Sequence, residues 1–189
     1  MKILTTTLGF TVLAFAVAGP ALAQSTTTTP PPNQCEVNQH FSDFDFWVGD
    51  WKVYSNDDAR TFAGTNSITK HYGNCLIKES WQGASDSAGF SINYFDPLDD
   101  QWRQVWVSRN LSIDYTGGLN DDGAMVLEGT IHYYGNGTSF PFRGIWSAQE
   151  DGSVVQHFDQ YDPETETWNV WFEGLYIKQE ADPNPPASN

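Results

Sequence analysis

The segment LIKESW places one glutamate among apolar and aromatic residues. If the segment is a β-strand, alternation puts Glu79 on the same face as Ile77 and Trp81, with Lys78 facing solvent. A carboxyl group in apolar surroundings has a raised pKa and can act as a general acid or base. Two alternatives stay open: Glu79 forms a salt bridge with Arg143, or it lies at a solvent-filled opening.

No other set of residues has the spacing of a reactive centre. The four histidines include no pair at metal-ligand spacing and no HExxH motif. No serine lies in a G-x-S-x-G motif. The acids in SNDDAR, PLDDQ and LNDDGA lack the distal glutamate of a calcium loop and are typical of solvated turns. We therefore predict neither a metal nor another cofactor.

Alternation in other segments predicts which side chains share an interior with Glu79. Arg103 and Arg109 should face water, and so should His157. Two segments stay open: in GFSINYF hydrophobicity favours Phe90, Ile92 and Tyr94 inside but does not decide the face, and FPFRGIW does not settle Arg143. The remaining predicted interior residues are Trp102, Gln104, Trp106, Ser108, Val154, Gln156 and Phe158, together with Trp168, Val170, Phe172 and Tyr176 on one face of the last strand.

Short alternating segments separated by Gly, Asn, Asp and Pro predict an all-β protein. Turns of hairpin length, such as NDDG and GNGT, favour sequential antiparallel pairing. About ten such strands favour an up-and-down β-barrel, because closure removes the exposed edges of an open sheet. The similar segments YFDPLDDQW and QYDPETETW indicate two related hairpins rather than propeller blades. The predicted strands span 49–55, 63–71, 75–82, 88–95, 102–109, 111–117, 124–134, 140–148, 153–160 and 167–178.

The two ends of the chain differ in composition from the region between them. Residues 1–23 combine Lys2, an apolar run and the cleavage-site pattern ALA, which predicts a secretory signal peptide rather than an uncleaved anchor. Composition predicts a Thr/Pro-rich linker over residues 24–34 and a disordered tail over residues 181–189. One domain of ordinary size, 35–180, remains. We expect an exported protein, periplasmic or extracellular.

The cysteine content agrees with export. The chain has two cysteines, Cys35 and Cys75. In an oxidising compartment the simplest interpretation is one disulfide, and the alternative is a pair of free buried thiols.

Charge limits the possible partners. The net charge is −15, and it becomes −16 when the signal peptide with Lys2 is removed. A surface of this charge repels nucleic acid and anionic membranes, since binding to phosphate needs clustered Lys and Arg. We therefore predict no nucleic-acid partner and no membrane association after cleavage. We also expect a monomer or a weakly associating protein.

An aromatic cluster, FDFWVGDW, leads into the first predicted strand and includes its first residues. SDFDFW predicts a short helical turn with Ser42 or Asp43 as N-cap, which would lay Phe44 and Trp47 over one end of the barrel. Gly49-Asp50-Trp51 has the G-x-W form found in lipocalins, where the indole packs across the closed end.

With this string, the chain resembles a family of mostly bacterial secreted domains of unknown function that carry the signature FDFW-x-G-x-W. The resemblance extends through GTNSITKHYGNCLIKESW, GFSINYFDP, WRQVWVS and TWNVWFEGLY. It implies a lipocalin-like (calycin) barrel with Ser91 and Asn93 on the inner face of GFSINYF, and it implies no reaction. Family members tend to carry aspartate at the position of Ser108, so an acidic role there is not implied.

Three functions follow from an aromatic interior with sparse polar groups. The first is binding of a small apolar or aromatic molecule in the barrel. The second is an isomerase or lyase that uses Glu79 as acid or base. The third is a filled barrel that binds another protein through its surface. The predicted ligand-binding residues are Trp51, Glu79, Trp81, Asn93, Gln104, Trp106, Arg143, Gln156, Phe172 and Tyr176.

Overall fold

A computed structural model describes residues 30–179, most of which lie in ten β-strands. The prediction of an all-β protein with about ten strands is confirmed. The predicted signal peptide, most of the predicted linker and the predicted tail lie outside the described residues. The strands are β1 Gly49–Ser55, β2 Phe62–His71, β3 Leu76–Gly83, β4 Ala88–Asp96, β5 Gln101–Ser108, β6 Leu111–Leu119, β7 Met125–Tyr133, β8 Thr138–Ala148, β9 Val154–Asp162 and β10 Thr167–Lys178.

The ten strands form a closed up-and-down barrel, as predicted. Each strand pairs antiparallel with the strands before and after it in the sequence, and β1 pairs with β10 to close the ring. At this seam Val53 lies opposite Tyr176. Short turns permit the tight hairpins; in the turn between β7 and β8, Gly137 has a φ of +68° that disfavours other residues.

Alternation along the strands separates the interior from the surface. In β3, Ile77 and Glu79 are buried while Lys78 and Ser80 are exposed, as the sequence predicted. In β4, Ser91 and Asn93 are buried, whereas Phe90 is 46% exposed. The open choice for this strand is therefore settled in favour of its polar residues.

Two short 3-10 helical turns, Gln39–Ser42 and Asp45–Trp47, cover one end of the barrel. We call residues 39–47 the plug. Phe44 and Trp47 are fully buried and stack with their ring centroids 4.8 Å apart. The indole N–H of Trp51 donates to the carbonyl oxygen of Trp47 at 2.8 Å, which fixes the plug to β1. The aromatic cluster of the sequence therefore closes one end of the barrel.

The predicted N-cap of the plug is wrong. Asn38 caps the first helical turn, because its side chain accepts the N–H of His40 at 3.0 Å. The second turn has Phe44 at its cap position, with no side-chain cap. Burial of the Phe44 ring takes precedence there over capping.

A four-residue helix, Gln34–Val37, precedes the plug and is joined to the barrel. The side chain of Asn33 caps it by accepting the N–H of Cys35 at 3.1 Å, and it also donates to the carbonyl oxygen of Gly73 at 2.8 Å. Cys35 and Cys75 form a disulfide, as predicted. No helix within residues 30–179 has the length and apolar character needed to cross a bilayer.

A β-bulge in the last strand overturns one predicted face. The register of β10 against β9 shifts between Val170 and Phe172. Val170 is exposed on the outer surface, whereas Phe172 and Tyr176 point inward. The prediction that Trp168 and Val170 share a face with Phe172 and Tyr176 is therefore wrong. An inserted residue reverses the alternation on one side of it.

Candidate functional site

The interior of the barrel contains a cavity of about 190 Å3. It lies beyond the plug, towards the end of the barrel where β3 and β5 finish and β10 begins. Its lining is mainly aromatic, with three polar side chains from β3, β5 and β9. The lining residues are Glu79, Trp81, Gln104, Trp106, Ile113, Tyr115, Gln156, Phe158, Trp171, Phe172 and Tyr176.

Burial divides the lining into a floor and a mouth. Tyr115, Tyr176 and the three polar side chains are buried and form the floor. Four rings at the other end are partly buried, and that of Trp171 is 43% exposed. The cavity therefore has a polar floor beneath an aromatic mouth, whose rings are Trp81, Trp106, Phe158, Trp171 and Phe172.

The structure brings seven of the ten predicted ligand-binding residues to this cavity. These are Glu79, Trp81, Gln104, Trp106, Gln156, Phe172 and Tyr176. Trp51 lies behind the floor, where it packs edge-on against Tyr176 with ring centroids 6.1 Å apart. Asn93 is also behind the floor and is hydrogen-bonded to Gln104. Arg143, the tenth, is not in the interior.

Arg143 lies on the outer surface of β8. Its guanidinium donates to Asp159 at 2.7 Å and lies over the ring of Trp168, 4.8 Å from the centroid. The expected position of Arg143 in the interior and the alternative salt bridge with Glu79 are therefore wrong. The reason is alternation: Phe142 and Trp146 fill the interior, which turns Arg143 outward.

Sequence analysis did not include four of the cavity residues among the binding residues: Ile113, Tyr115, Phe158 and Trp171. Phe158 was assigned to the interior by alternation. The same alternation in LSIDYTG would have placed Ile113 and Tyr115 together on one face. Trp171 could not be found in this way, because the bulge places it.

The carboxylate of Glu79 is held by neutral donors. The side-chain amide of Asn66 donates to one oxygen at 2.7 Å, and the hydroxyl of Ser91 donates to the other at 2.6 Å. Among residues 30–179, no Lys, Arg or His forms an ion pair with it. Burial raises the pKa of Glu79 to about 7, because the two hydrogen bonds offset only part of the lost hydration.

Glu79 is the acceptor at the centre of a hydrogen-bond chain. On one side, Tyr115 donates to Gln104, Gln104 to Asn93, and Asn93 to Ser91 at 2.8 Å. Because burial raises the pKa of Tyr115 well above its ordinary value, this phenol stays protonated and acts as a donor.

On the other side, Asn66 contacts the hydroxyl of Tyr176 at 3.3 Å, and Tyr176 donates to Gln156 at 2.8 Å. Burial also raises the pKa of Tyr176. The side-chain oxygen of Asn66 is buried and has no hydrogen-bond partner within the described residues. The floor therefore contains one ionisable acid among neutral phenol, hydroxyl and amide groups.

A second ionic cluster lies on the outer surface, around His157. Its two ring nitrogens lie 2.6 Å from Glu173 and 2.8 Å from Asp159. Burial alone would lower the pKa of His157, but the hydrogen bonds to these carboxylates outweigh burial and raise it. This cluster is on the opposite side of the sheet from the cavity.

A wider, more open hollow of about 400 Å3 lies at the rim beside the hairpin of β9 and β10. It shares Trp171 with the cavity, and its polar lining includes Asp162 and Glu164. The indole N–H of Trp171 donates to the hydroxyl of Tyr133 at 3.0 Å. Trp171 therefore belongs both to the aromatic mouth and to the lining of the hollow at the rim.

Within the part of the chain that the structure describes, no three His, Cys, Asp or Glu side chains are grouped to hold a metal ion. No protein-family model matches the chain, and a search of curated proteins found no significant match.

Proposed function

We propose that this protein binds a small aromatic or apolar molecule in the interior of its barrel. The observation that carries the proposal is the cavity of about 190 Å3 with its aromatic mouth and polar floor. Apolar cavities with a few converging polar groups are the usual form of small-molecule sites. This cavity argues against the alternative of a filled barrel that acts only through its surface.

The volume limits the size of the ligand. An engineered cavity of about 150 Å3 in another protein holds benzene. The cavity here therefore suits one substituted ring or an aliphatic body of similar size. A longer ligand would extend past Trp171 towards the rim.

The floor offers specific groups to such a ligand. Among the described residues, Gln156 uses its side-chain oxygen to accept from Tyr176, which leaves its amide N–H groups available. Each carboxylate oxygen of Glu79 accepts one hydrogen bond and has a further lone pair. A polar group on the ligand can therefore be oriented at the floor while its ring lies among the mouth rings.

Native mass spectrometry of the protein purified from its own host tests the proposal. We expect a reproducible extra mass that disappears in the variant Trp106→Ala/Phe172→Ala. Trp168→Ala is the matched control, because Trp168 packs on Tyr161 and Arg143 on the outer surface, away from the cavity. Loss of the extra mass in both variants, or a bare protein together with a blank dye-displacement screen, would overturn the proposal.

An enzyme on the same barrel is the second candidate. The observation that favours it is Glu79, a buried carboxyl group without a cationic partner in the described residues and with a pKa of about 7. Such a group can remove and return a proton in an isomerase or lyase reaction. The test incubates the recovered ligand with the protein in D2O. Deuterium incorporation that is lost in Glu79→Gln supports catalysis. Absence of exchange would refute the enzyme and leave ligand binding as the sole function proposed.

We also propose that the protein is exported and that its barrel belongs to the calycin-like secreted family it resembles. The disulfide between Cys35 and Cys75 supports an oxidising compartment. The test is the mass of the protein recovered outside the cytoplasm, which should correspond to a chain that begins at Gln24. A full-length chain recovered only from the cytoplasm would refute export.

A further inference from the structure

We propose that the ligand of this cavity is an organic cation: a protonated amine on an aromatic or apolar body, with its charge at the carboxylate of Glu79. This inference rests on the proposed binding function and names its ligand class. Two independent observations support it: the neutral surroundings of a buried acid, and the rings that form the mouth.

The first observation concerns the charges that face Glu79 from every neighbouring strand. β2 contributes the amide of Asn66, β4 contributes Ser91 and Asn93, and β5 contributes Gln104; all of these are neutral. The titratable groups that face the floor are the phenols of Tyr115 from β6 and Tyr176 from β10, which carry no charge at neutral pH.

No strand therefore supplies a positive charge to the floor within the described residues. Glu79 is only 4% exposed, and a buried carboxylate without a cation is strongly unfavourable. A ligand ammonium group would provide the missing charge and donate its N–H groups to the lone pairs of Glu79 that Ser91 and Asn66 leave free. A neutral or anionic ligand of the same shape would not supply this positive charge.

The second observation is the composition of the mouth. Three indoles and two phenyl rings surround the path to the floor. The faces of aromatic rings, those of indoles most of all, attract ammonium groups, and more strongly where water is excluded. The net charge of −15 also raises the local concentration of cations near the surface.

The same features exclude an anionic ligand. No Lys or Arg lines the cavity, so a carboxylate or phosphate would meet Glu79 without compensation. A neutral ligand stays the competing outcome, because it would bind while Glu79 is protonated.

Three probes with one ring and different charges separate these outcomes: benzylammonium, benzyl alcohol and benzoate. Binding is followed by calorimetry and by quenching of tryptophan fluorescence at about pH 8, where Glu79 is ionised and benzylamine is protonated. We expect benzylammonium to bind at least about tenfold more tightly than benzyl alcohol, and benzoate to show no binding. In Glu79→Gln the affinity for benzylammonium should fall to that for benzyl alcohol.

Glu128→Gln is the matched control. Glu128 lies on the outer surface with its side chain 64% exposed, and this variant changes the net charge by the same amount. It should keep the preference for benzylammonium. An equal loss in both variants would assign the preference to the overall charge of the protein and overturn the inference.

The pH dependence of the unaltered protein is a second test that needs no variant. Below pH about 7 the affinity for benzylammonium should fall towards tenfold per pH unit, because the bound cation requires ionised Glu79. Benzyl alcohol should show no such fall. Equal affinities for the two probes would overturn the cation inference and leave the binding function standing. Failure of all three probes would overturn the cation inference, whereas the binding function falls only if the protein from its own host is also bare and the dye-displacement screen is blank.

Discussion

Raising the pH from about 4.5 to about 7 should weaken the fold through Glu79. The pKa of this group is about 7 in the folded protein, against an ordinary value of 4.5. Between these values the folded protein binds one proton more than the unfolded chain, so the free energy of unfolding decreases as pH rises. The slope is about 1.4 kcal/mol per pH unit, which gives a total of about 3 kcal/mol across the window.

Glu79→Gln isolates this contribution. The amide has the same shape and does not ionise, and the unpartnered side-chain oxygen of Asn66 can accept its N–H if the Asn66 amide turns over. The variant should therefore fold, and it should lose the Glu79 part of the pH dependence. Other titrating groups are present in both proteins. Their contributions cancel when the free energy of unfolding of one protein is subtracted from that of the other.

The assay is equilibrium unfolding in urea with the disulfide intact, followed by tryptophan fluorescence at several pH values from about 4 to 8. The stability of Glu79→Gln relative to the unaltered protein should increase by about 3 kcal/mol between the two ends of the window. A constant difference across the pH range would refute the reasoning. It would mean that Glu79 is hydrated or paired in solution.

Three further predictions concern other parts of the protein. Replacing Cys35 and Cys75 with serine should lower the free energy of unfolding by about 4 kcal/mol, since the bond closes a loop of 40 residues, as urea unfolding would measure. NMR titration of His157 should give a pKa above 6.5, and Glu173→Gln should lower it. The pair of protonated His157 and Glu173 contributes its full stabilisation below pH 6.5. This contribution is lost as pH rises through the raised pKa of His157. Phe44→Ala should lower stability by about 4 kcal/mol, because Phe44 is fully buried in the plug.

Each of these predictions has its own control. Reduction of the unaltered protein should reproduce the loss in the serine variant, and a stability unchanged by reduction would contradict the disulfide prediction. A His157 pKa that Glu173→Gln leaves unchanged would show that the carboxylate does not set it. Tyr134→Ala, at a ring that is 53% exposed, should change stability little beside Phe44→Ala. Equal losses of stability in Tyr134→Ala and Phe44→Ala would contradict the stabilising role of the plug.

The position of Glu79 could be predicted because its neighbours are unambiguous. Lys78 must reach water, so alternation turns Glu79 inward. The same rule placed Gln104 and Gln156 correctly. Prediction of the closed barrel likewise followed from the number of strands and the need to cover their edges.

The interior of β4 could not be decided from hydrophobicity. Ser91 and Asn93 are buried because they form hydrogen bonds within the chain that leads to Glu79. A buried carboxylate needs polar neighbours, but the sequence does not show which strand will supply them. Hydrophobicity alone would have placed Phe90 and Ile92 there instead, and both are exposed.

Trp171 shows a second limit. Strict alternation assigns one face to every second residue, and one inserted residue reverses the assignment for everything beyond it. The bulge between Val170 and Phe172 has no signature in TWNVWFEGLY that distinguishes it from regular strand. The residue at the entrance of the cavity was therefore the one that the pattern could not locate.

The seam between β1 and β10 has a consequence for the order of folding. It joins the first strand to the last, so the ring cannot close until β10 is available, and contacts between such distant segments form slowly. The disulfide needs only the segment before β1 and the turn between β2 and β3. A chain emerging from its N-terminus can therefore form this covalent link long before the barrel closes. Until then, β1 and the most recent strand are unpaired edges that can associate with other chains.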